Sequence, residues 1–472
     1  MVRALGLSAP GVSGRRAPGT GRGLAVDAAG GAGPLGQGRA GDARAGIQVP
    51  PAPVGHHPPD APPAPGPAGR ALTVRHGPAA DQGLPAGGPV GDRRVVPGRR
   101  RAAALLLPIL PPLLLAACAP AAAPPLLDAG QCRRLELVDE AGRTVVGAED
   151  LALDAEGGRL FVSAQDRLAV EARLGRRGDP PPPAGGLYAL PLASLSAEGP
   201  VRVADLAGPA LGTATRPHGI AFARGPDGHA RLALVAREAV RDEAGRWRLA
   251  PRAVVLAEEA GTGGWRLERS VGGPALCHLN DVALTPGGRL LATLDRGPCP
   301  GEGRGVLVEL GPDGTPPRTL ASGYRFANGL AFDADGRLWL AETRSARLRA
   351  PAGGLRRDLP GHPDNLALAP DGRLLVALHP ALIRLALHRF GWPLGARAPS
   401  RVVALDPETA RVMTLFDDPG GRVFPGATAA VIAGDRLVLG AVRAPGLLVC
   451  PLPPGALAGA GRGQTAQAGD AV

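Results

Sequence analysis

The sequence predicts an all-β, six-bladed β-propeller between residues 131 and 455. Three observations support this prediction. First, one unit recurs along the chain: a short alternating apolar strand, a turn rich in Asp and Gly, then Arg-Leu and a second apolar strand. Second, strands of period two joined by Asp-Gly turns are typical of hairpins. Third, no long helical pattern interrupts the units, and each is long enough to form one four-stranded blade.

Five copies of the unit are clear and a sixth is weaker. Their starting positions are 150, 219, 281, 329, 365 and 428. The variable spacing of these positions reflects loop insertions between strands. Six copies of the unit predict six blades. A hydrophobic content of 44% in 472 residues is enough for a large core, which excludes a wholly disordered or collagen-like chain. The flanking segments, 119–130 and 456–472, are predicted to be a linker and a disordered tail.

The first 97 residues show no sustained period and consist largely of Gly, Pro, Ala and Arg. Such a segment cannot bury enough apolar surface to offset its ordering entropy, so it is predicted to be disordered. Of the net charge of +11, the first 101 residues carry +8, and the remaining 371 are close to neutral. A nucleic-acid-binding domain would keep its basic excess in the folded part. The chain is therefore not expected to bind nucleic acid.

Residues 98–118 have the features of a secretory signal. Three arginines, 99–101, precede a 16-residue apolar run that ends in Leu-Ala-Ala-Cys118. This ending resembles the lipobox of bacterial lipoproteins, in which the cysteine is diacylated and becomes the mature N-terminus. We therefore expect an exported lipoprotein of the bacterial cell envelope that contacts the membrane through Cys118 and faces the periplasm. A transmembrane helix is disfavoured because the run is short and contains three prolines.

A signal peptide normally begins a chain, whereas this one starts about a hundred residues in. Met1 and Met413 are the only methionines, so no internal methionine can start it. A valine codon can serve as a bacterial start, and Val95 and Val96 stand just before the arginines. We therefore hypothesise that the segment 1–97 results from an over-extended gene start.

The cysteines suggest disulfides. There are five of them: Cys118, Cys132, Cys277, Cys299 and Cys450. Assigning Cys118 to a lipid leaves four, an even number in a compartment that permits disulfides. A bridge between Cys132 and Cys450 would tie the first strand of the propeller to the last. Cys277 and Cys299 could close a local loop, and the sequence does not decide whether they pair.

Polar residues form a column at the head of the repeated units. They are Glu149, His218, Asn280, Asn328, Asp364 and, in the weaker sixth copy, Ala427; the next position adds Asp150, Asp281 and Asn365. In a propeller the innermost strands line the channel, so equivalent positions converge. Carboxylate and amide oxygens suit a hard cation, and Ca²⁺ fits this set best. A single such residue is more often a turn former, but five in equivalent places predict a calcium site.

These residues resemble the paraoxonase/arylesterase family of lactonases, six-bladed propellers related to the gluconolactonase and strictosidine-synthase-like proteins. The resemblance covers roughly Cys132 to Cys450. It rests on six motifs in the family's order: Gly147-Ala-Glu-Asp-Leu, Pro217-His-Gly-Ile, Leu279-Asn-Asp-Val, Phe326-Ala-Asn-Gly, Asp364-Asn and Leu378-His-Pro. Cys132 and Cys450 also look like the family's terminal disulfide, which would close the propeller.

The resemblance implies two calcium ions and a hydrolytic reaction. The catalytic ion would be held by Glu149, Asn280, Asn328, Asp364 and Asn365, and a deeper structural ion by Asp150, Asp281 and the backbone carbonyl of Ile220. The catalytic ion would polarise the carbonyl of a small-molecule lactone or ester. His218 would act as general base on the attacking water. The pocket would be lined by Phe326, His379, Arg237 and Asp295.

The sequence departs from the family in the groups that transfer protons. The family's second histidine, nineteen residues after the first, falls on Arg237. An arginine cannot relay a proton because it stays charged. Asp295 matches the family, but the histidine that follows it there is Arg296 here.

Together these features predict a calcium-dependent lactonase or arylesterase. One alternative is a gluconolactonase-like sugar lactonase with a single divalent metal, in which Asp150 and Asp281 would be dispensable. Another is a non-catalytic propeller used as a binding module, because a fold does not fix a function. A serine hydrolase is disfavoured because the sequence contains no G-x-S-x-G. The identity of the substrate cannot be inferred from the sequence.

Overall fold

The computed structural model describes residues 124–312 and 314–456. Within them, sheets of antiparallel strands follow one another around a central channel. The predicted signal at 98–118, including Cys118, lies outside the described residues. No helix in the described part of the chain is long and apolar enough to cross a membrane.

The strands form six blades in chain order. Two short strands come first, β1 (Arg133–Leu135) and β2 (Leu137–Val138). Blade 1 contains β3 (Ala148–Asp154), β4 (Arg159–Ala164) and β5 (Gly186–Pro191), followed by β6 (Val201–Arg202), which pairs in parallel with β2. Blade 2 contains β7 (Ile220–Arg224), β8 (Ala230–Arg241), β9 (Trp247–Glu258) and β10 (Trp265–Val271). Blade 3 contains β11 (Leu279–Leu284), β12 (Leu290–Leu294), β13 (Gly305–Leu310) and β14 (Arg318–Tyr324). Blade 4 contains β15 (Ala327–Phe332), β16 (Leu338–Glu342), β17 (Arg347–Arg349) and β18 (Arg356–Asp358). Blade 5 contains β19 (His362–Leu368), β20 (Leu374–His379), β21 (Ser400–Leu405) and β22 (Val412–Asp418). Blade 6 contains β23 (Ala427–Ala433), β24 (Arg436–Ala441) and β25 (Leu447–Pro451), and β1 is its fourth strand.

The Asp-Gly turns of the repeat are stabilised by their own aspartates. In blade 1, Asp154 accepts a hydrogen bond from the N–H of Gly157 at 2.8 Å and pairs with Arg159 at 2.8 Å. In blade 4, Asp333 accepts hydrogen bonds from the N–H of Arg337 at 2.9 Å and from the indole of Trp339 at 2.8 Å. These local bonds fix the hairpin between the first two strands of a blade. The recurring Asp, Gly and Arg therefore have a structural role.

The ring of blades is closed, which confirms the predicted six-bladed propeller. Each innermost strand contacts the next in the order β3, β7, β11, β15, β19 and β23, and β23 returns to β3. β1 pairs with β25, with Arg133 opposite Val449. The disulfide between Cys132 and Cys450 joins the same two segments covalently. The first and last parts of the propeller are thus held in one sheet.

Part of the predicted linker packs against the propeller. The N–H groups of Leu126 and Leu127 donate to the carbonyls of Thr414 and Leu415 in β22, both at 2.9 Å. Leu127 is buried in the same apolar cluster as Phe416. Burial of apolar area makes this attachment favourable.

In the part of the chain that the structure describes, three short α-helices lie between strands: α1 (Arg167–Glu171), α2 (Ala207–Leu211) and α3 (Leu382–Phe390). α1 follows β4, and α3 follows β20. Because strands alternate in direction, the connection after the second strand of a blade lies at the end of the channel where the inner strand begins. The two helices contact each other at that end, and Arg389 of α3 pairs with Glu171 of α1 at 2.6 Å.

A second disulfide, between Cys277 and Cys299, links the segment before β11 to the loop after β12. The two disulfides close loops of very different length, with sequence separations of 318 and 22 residues. Cross-linking a longer loop removes more entropy from the unfolded chain.

Replacing both Cys132 and Cys450 by alanine is expected to lower the free energy of unfolding by about 2–5 kcal/mol. The double variant Cys277→Ala/Cys299→Ala is the matched control and should lose less. Denaturant unfolding of the purified chains measures both. An equal or larger loss in the control would show that closing the ring is not the main effect of the terminal disulfide.

Candidate functional site

The polar column lies where the inner strands begin, and most of these strands are irregular there. Five inner strands shift register at this level: β3 between Ala148 and Asp150, β11 between Leu279 and Val282, β15 between Ala327 and Leu330, β19 between Pro363 and Leu366, and β23 between Ala427 and Ala429. An irregularity of this kind breaks the strict alternation of side chains. Both members of a pair such as Glu149 and Asp150 are therefore buried and contact blade 2.

Glu149 is central to the charged groups of the site. Its Oε2 lies 2.6 Å from Nδ1 of His218, and its Oε1 lies 3.6 Å from Nη2 of Arg167. Burial would raise the pKa of Glu149, but His218, Arg167 and Arg237 together lower it to about 2, so the carboxylate is ionised at neutral pH. Among the described residues, His218 is the only group within hydrogen-bonding distance of the buried Oε2, and a carboxylate oxygen can accept more than one bond. This oxygen therefore has capacity for another ligand.

His218 is neutral at neutral pH. Burial and then the charges of Arg237 and Arg167 lower its pKa to about 3. Its Nδ1 lies near Glu149 and also 3.2 Å from Nη2 of Arg167. One ring nitrogen cannot both donate and accept. When Nδ1 donates to Glu149, Nε2 is left with a lone pair that can accept a proton from water.

The backbone around His218 is fixed by polar side chains that the sequence analysis did not identify. The N–H of His218 donates to the carbonyl of Val235 at 3.0 Å. Ser163 donates to the carbonyl of His218 at 2.5 Å, and Gln165 donates to that of Pro217 at 3.0 Å. The backbone that carries the imidazole of His218 is therefore held by residues of blades 1 and 2. Ser163 and Gln165 follow no repeated pattern, so no sequence signal marked them.

Two asparagines of the predicted metal set direct their amide oxygens away from protein donors. Nδ2 of Asn328 donates to Asp364 at 2.6 Å and to Thr343 at 3.0 Å. Nδ2 of Asn365 donates to the carbonyl of Glu149 at 3.0 Å. The hydroxyl of Thr343 already donates to the carbonyl of Pro363, and the carbonyl of Glu149 can only accept. Both therefore bind an amide nitrogen, which fixes the orientation of the two asparagines. Their Oδ1 atoms then have no donor among the described residues.

Asn280 and Asp364 complete the predicted set. Asn280 is buried, and its side chain has no hydrogen-bond partner among the residues that the structure describes. Asp364 accepts from Asn328 and lies 2.7 Å from Nε2 of His379. The acceptor set thus comprises two carboxylates and three amide oxygens, which is the chemistry that Ca²⁺ prefers. By donor type, the residues present fit this cation.

Thr428, at the head of the inner strand of blade 6, also contacts these residues, and the sequence did not identify it. Its hydroxyl donates to the carbonyl of Glu149 at 2.7 Å. The sequence column placed Ala427 at this level, but the irregularity between Ala427 and Ala429 shifts the register by one residue. Thr428 fixes the backbone of Glu149 from blade 6.

The two aspartates predicted to hold the deeper ion accept hydrogen bonds from backbone N–H groups. Asp150 accepts from the N–H groups of Leu151 at 2.9 Å and Ile220 at 2.8 Å. Asp281 likewise accepts from Val282 at 2.8 Å and Leu330 at 2.7 Å. In this arrangement Ile220 contributes its N–H rather than its carbonyl.

Burial raises the pKa values of both Asp150 and Asp281 well above the usual range, and neighbouring carboxylates raise them further. Gly219 lies against this pair, because a Cβ there would be 2.1 Å from Oδ1 of Asp281. A cation or a proton would relieve the repulsion between the two carboxylates.

Two of the predicted pocket residues, His379 and Arg237, lie next to the predicted metal ligands Asp364 and Asn280. His379 is buried, and its Nδ1 has no partner in the described part of the chain. Asp295 pairs with Arg296 at 3.3 Å. Arg237 donates to the carbonyl of Leu279, next to Asn280, at 3.2 Å.

Phe326 has an unusual backbone. Its φ is +72°, a left-handed conformation that bulky residues rarely adopt. The turn is fixed by Glu342, which accepts from the N–H of Arg325 at 2.7 Å, and by the N–H of Thr343, which donates to the carbonyl of Phe326 at 3.1 Å. The ring is half-buried and lies under the guanidinium of Arg344. Such strain is often found at functional positions.

Two other features do not coincide with the site. A cavity of about 420 Å³ lies at the hairpin between β8 and β9, and its charged lining includes the pair Arg246 and Asp242. In the described residues, one group of three His, Cys, Asp or Glu ligand atoms lies within 4.8 Å: Cys277, His278 and Cys299. Both cysteines are in the disulfide, so this group offers no thiolate to a metal. Neither feature contains a residue of the polar column.

Comparison with known proteins gives structural neighbours only. No protein-family model and no curated protein matches the sequence. A gluconolactonase from Xanthomonas campestris is 17% identical, with 70% of this chain and 97% of that chain covered and a TM-score of 0.34. A catalytically inactive virginiamycin B lyase from Staphylococcus aureus is 9% identical over 68% and 99%, with a TM-score of 0.38. A protein of unknown function from Dyadobacter fermentans is 12% identical over 68% and 100%, with a TM-score of 0.41. At these values the neighbours identify no family for this chain, and the function is inferred from the site.

The strain at Phe326 predicts an unusual order of stabilities. Phe326→Gly and Phe326→Ala both remove the ring, but only alanine keeps a Cβ in the left-handed conformation. Phe326→Gly should therefore be more stable than Phe326→Ala by about 1 kcal/mol in denaturant unfolding. At Phe332 in β15, the matched control, glycine should be the less stable of the two. If the glycine and alanine variants have the same order of stability at Phe326 and at Phe332, the strain at Phe326 is refuted.

Proposed function

We propose that this protein is a calcium-dependent hydrolase of lactones or aryl esters. The observation that supports the proposal best is the set of oxygen acceptors at the head of the inner strands. The amide nitrogens of Asn328 and Asn365 are bound by the protein, so their oxygens remain available beside Glu149 and Asp364. A propeller that only bound a partner would not need carboxylate and amide oxygens without protein donors at the heads of several inner strands.

We also propose that the protein is an exported lipoprotein of the bacterial envelope that faces the periplasm. The observation behind this is the Leu-Ala-Ala-Cys118 sequence after an apolar run. Mass spectrometry of the mature N-terminus tests it, because an N-terminus other than diacylated Cys118 would contradict the anchor.

The metal would be held by Glu149, Asp364 and the amide oxygens of Asn280, Asn328 and Asn365. When bound, Ca²⁺ would polarise the carbonyl of the lactone or ester and stabilise the charge that develops on its oxygen.

The remaining tasks fall to the chain's own side chains. His218 accepts a proton from water at Nε2 while its Nδ1–H is held by Glu149. Ser163 and Gln165 keep the ring in place through the backbone of residues 217 and 218. The ring of Phe326 and the imidazole of His379 supply apolar and polar walls to the substrate pocket.

The first test is hydrolysis of a panel of small lactones and phenyl acetate by the purified full-length chain. Chelation of calcium should abolish turnover, and Asn280→Ala should weaken calcium binding by about tenfold or more. His218→Gln should lower kcat by about 10²–10⁴-fold while calcium binding persists, because only the proton acceptor is removed.

The matched controls are an exposed side-chain amide and an exposed histidine, Gln131→Ala and His229→Gln, which should retain wild-type activity. Activity that survives chelation, or an active Asn280→Ala variant that binds calcium normally, would contradict the proposed centre. If no substrate is hydrolysed but calcium raises the melting temperature, the protein is a binding propeller with a structural ion.

The hydrogen bonding of Asp150 and Asp281 favours a second candidate, a sugar lactonase of the gluconolactonase type with one divalent metal. Each carboxylate already accepts two backbone N–H groups. In this candidate they connect neighbouring blades without a metal. In the two-metal form, an ion would instead relieve the repulsion that raises the pKa of both groups.

Calcium stoichiometry distinguishes the two forms. We expect two ions per chain in equilibrium dialysis, and one in the variant Asp281→Asn, which keeps acceptor capacity on a single oxygen. Asn280→Ala should lose the other ion and the activity together. One ion in the wild-type chain, unchanged in Asp281→Asn, would establish the single-metal form.

A further inference from the structure

Two arginines lie beside the proposed catalytic centre: Arg167 is buried and Arg237 is half-buried. Arg167 begins α1 and is only 7% exposed. Its Nη2 lies 3.2 Å from Nδ1 of His218 and 3.6 Å from Oε1 of Glu149. Its Nε is buried and has no hydrogen-bond partner among the described residues. This guanidinium is therefore only partly satisfied by the protein.

Arg237 reaches the same space from β8. Its Nη2 donates to the carbonyl of Leu279 at 3.2 Å, one residue before Asn280. In the described part of the chain it forms no ion pair within 4.0 Å, although its charge acts on both His218 and Glu149. Burial and the charge of Arg167 lower the pKa of Arg237 to about 9, so it still carries its charge at neutral pH. A second positive charge thus lies at the centre without a direct carboxylate partner.

The nearby carboxylates are already engaged. Asp295 pairs with Arg296 at 3.3 Å, and Glu171 pairs with Arg389 at 2.6 Å. Glu149 and Asp364 belong to the acceptor set proposed for the cation. Once a divalent ion neutralises those two, the carboxylates that remain, Asp295 and Glu171, each already pair with another arginine. Buried cations without counter-charge are costly, so a ligand that supplies negative charge would be favoured.

A guanidinium is also well suited to this task. Its planar fork can bind both oxygens of a carboxylate, and its charge persists at every physiological pH. The same property prevents Arg237 from exchanging a proton with His218. Its contribution to the site is therefore charge and hydrogen-bond donors.

We propose that Arg237 and Arg167 bind an anionic group of the substrate, so that the preferred substrate is a lactone or ester with a carboxylate close to the scissile carbonyl. This inference rests on the proposed hydrolase function. Arg237 is the specificity determinant, because Arg167 also contacts His218 and Glu149. A guanidinium can bind other oxyanions with two terminal oxygens in the same way, and a carboxylate serves as the probe.

The test compares two substrates of nearly equal shape, γ-carboxy-γ-butyrolactone and its carboxamide. The wild-type full-length chain should hydrolyse the carboxylate with the higher kcat/KM. In Arg237→Gln the ratio of kcat/KM between carboxylate and carboxamide should fall by about tenfold or more, because a charge-assisted hydrogen bond is lost. Arg237→Lys should retain part of the ratio. Arg266→Gln, an exposed arginine of the same blade, is the matched control and should keep the wild-type ratio.

Using a ratio within each variant separates recognition from folding, because partial unfolding lowers both rates equally. Hydrolysis of both substrates with a ratio that Arg237→Gln leaves unchanged would overturn the anion site and leave the hydrolase standing. Calorimetry measures whether the carboxylate and the carboxamide bind when neither of them is hydrolysed. If neither is hydrolysed but the carboxylate binds more tightly in an Arg237-dependent way, the hydrolase fails and the anion site stands.

Discussion

Closure of the ring of inner strands is the constraint on which the candidate site depends. The site combines residues that are far apart in sequence: Glu149 is bonded to Asn365 across 216 residues and to Thr428 across 279. These contacts exist only when blade 6 returns to blade 1. The pairing of β1 with β25 and the disulfide from Cys132 to Cys450 hold that return in place. The same closure brings the two ends of the propeller together and assembles the acceptor set.

The irregular start of the inner strands is the second requirement. A regular strand would direct alternate side chains to opposite faces, so only one residue of each pair could face the channel. The shift in register buries both members of the pairs Asn280–Asp281 and Asp364–Asn365. This doubles the buried polar groups at the heads of these strands, and nearby polar atoms such as Nε of Arg167 and Nδ1 of His379 have no partner among the described residues. Buried unpartnered polar atoms are rare in folded proteins, so those beside the column support it as a candidate site.

Much of this arrangement could be predicted from the sequence because the repeat fixes the register of each blade. The number of blades follows from six copies of one unit, and the head of each unit marks the level of Glu149, Asn280 and Asn328. Features outside the repeat could not be predicted. Arg167 lies in a helix found in one blade connection, Thr428 was displaced by the irregularity in β23, and the pairing of Cys277 with Cys299 depends on the course of a loop.

In the proposed site, proton transfer and the attraction of negative charge belong to different side chains. A histidine at position 237 could exchange a proton with His218, whereas Arg237 retains its charge and lowers the pKa of that imidazole. His218 is therefore kept neutral by burial and by two guanidiniums, and its orientation depends on Glu149 and on the backbone anchors from Ser163 and Gln165. In the proposed site, His218 would accept a proton, and Arg167 and Arg237 would attract negative charge. Its selectivity then follows from the position of fixed charge relative to the reacting carbonyl, because guanidinium groups cannot change their protonation state to suit a neutral substrate.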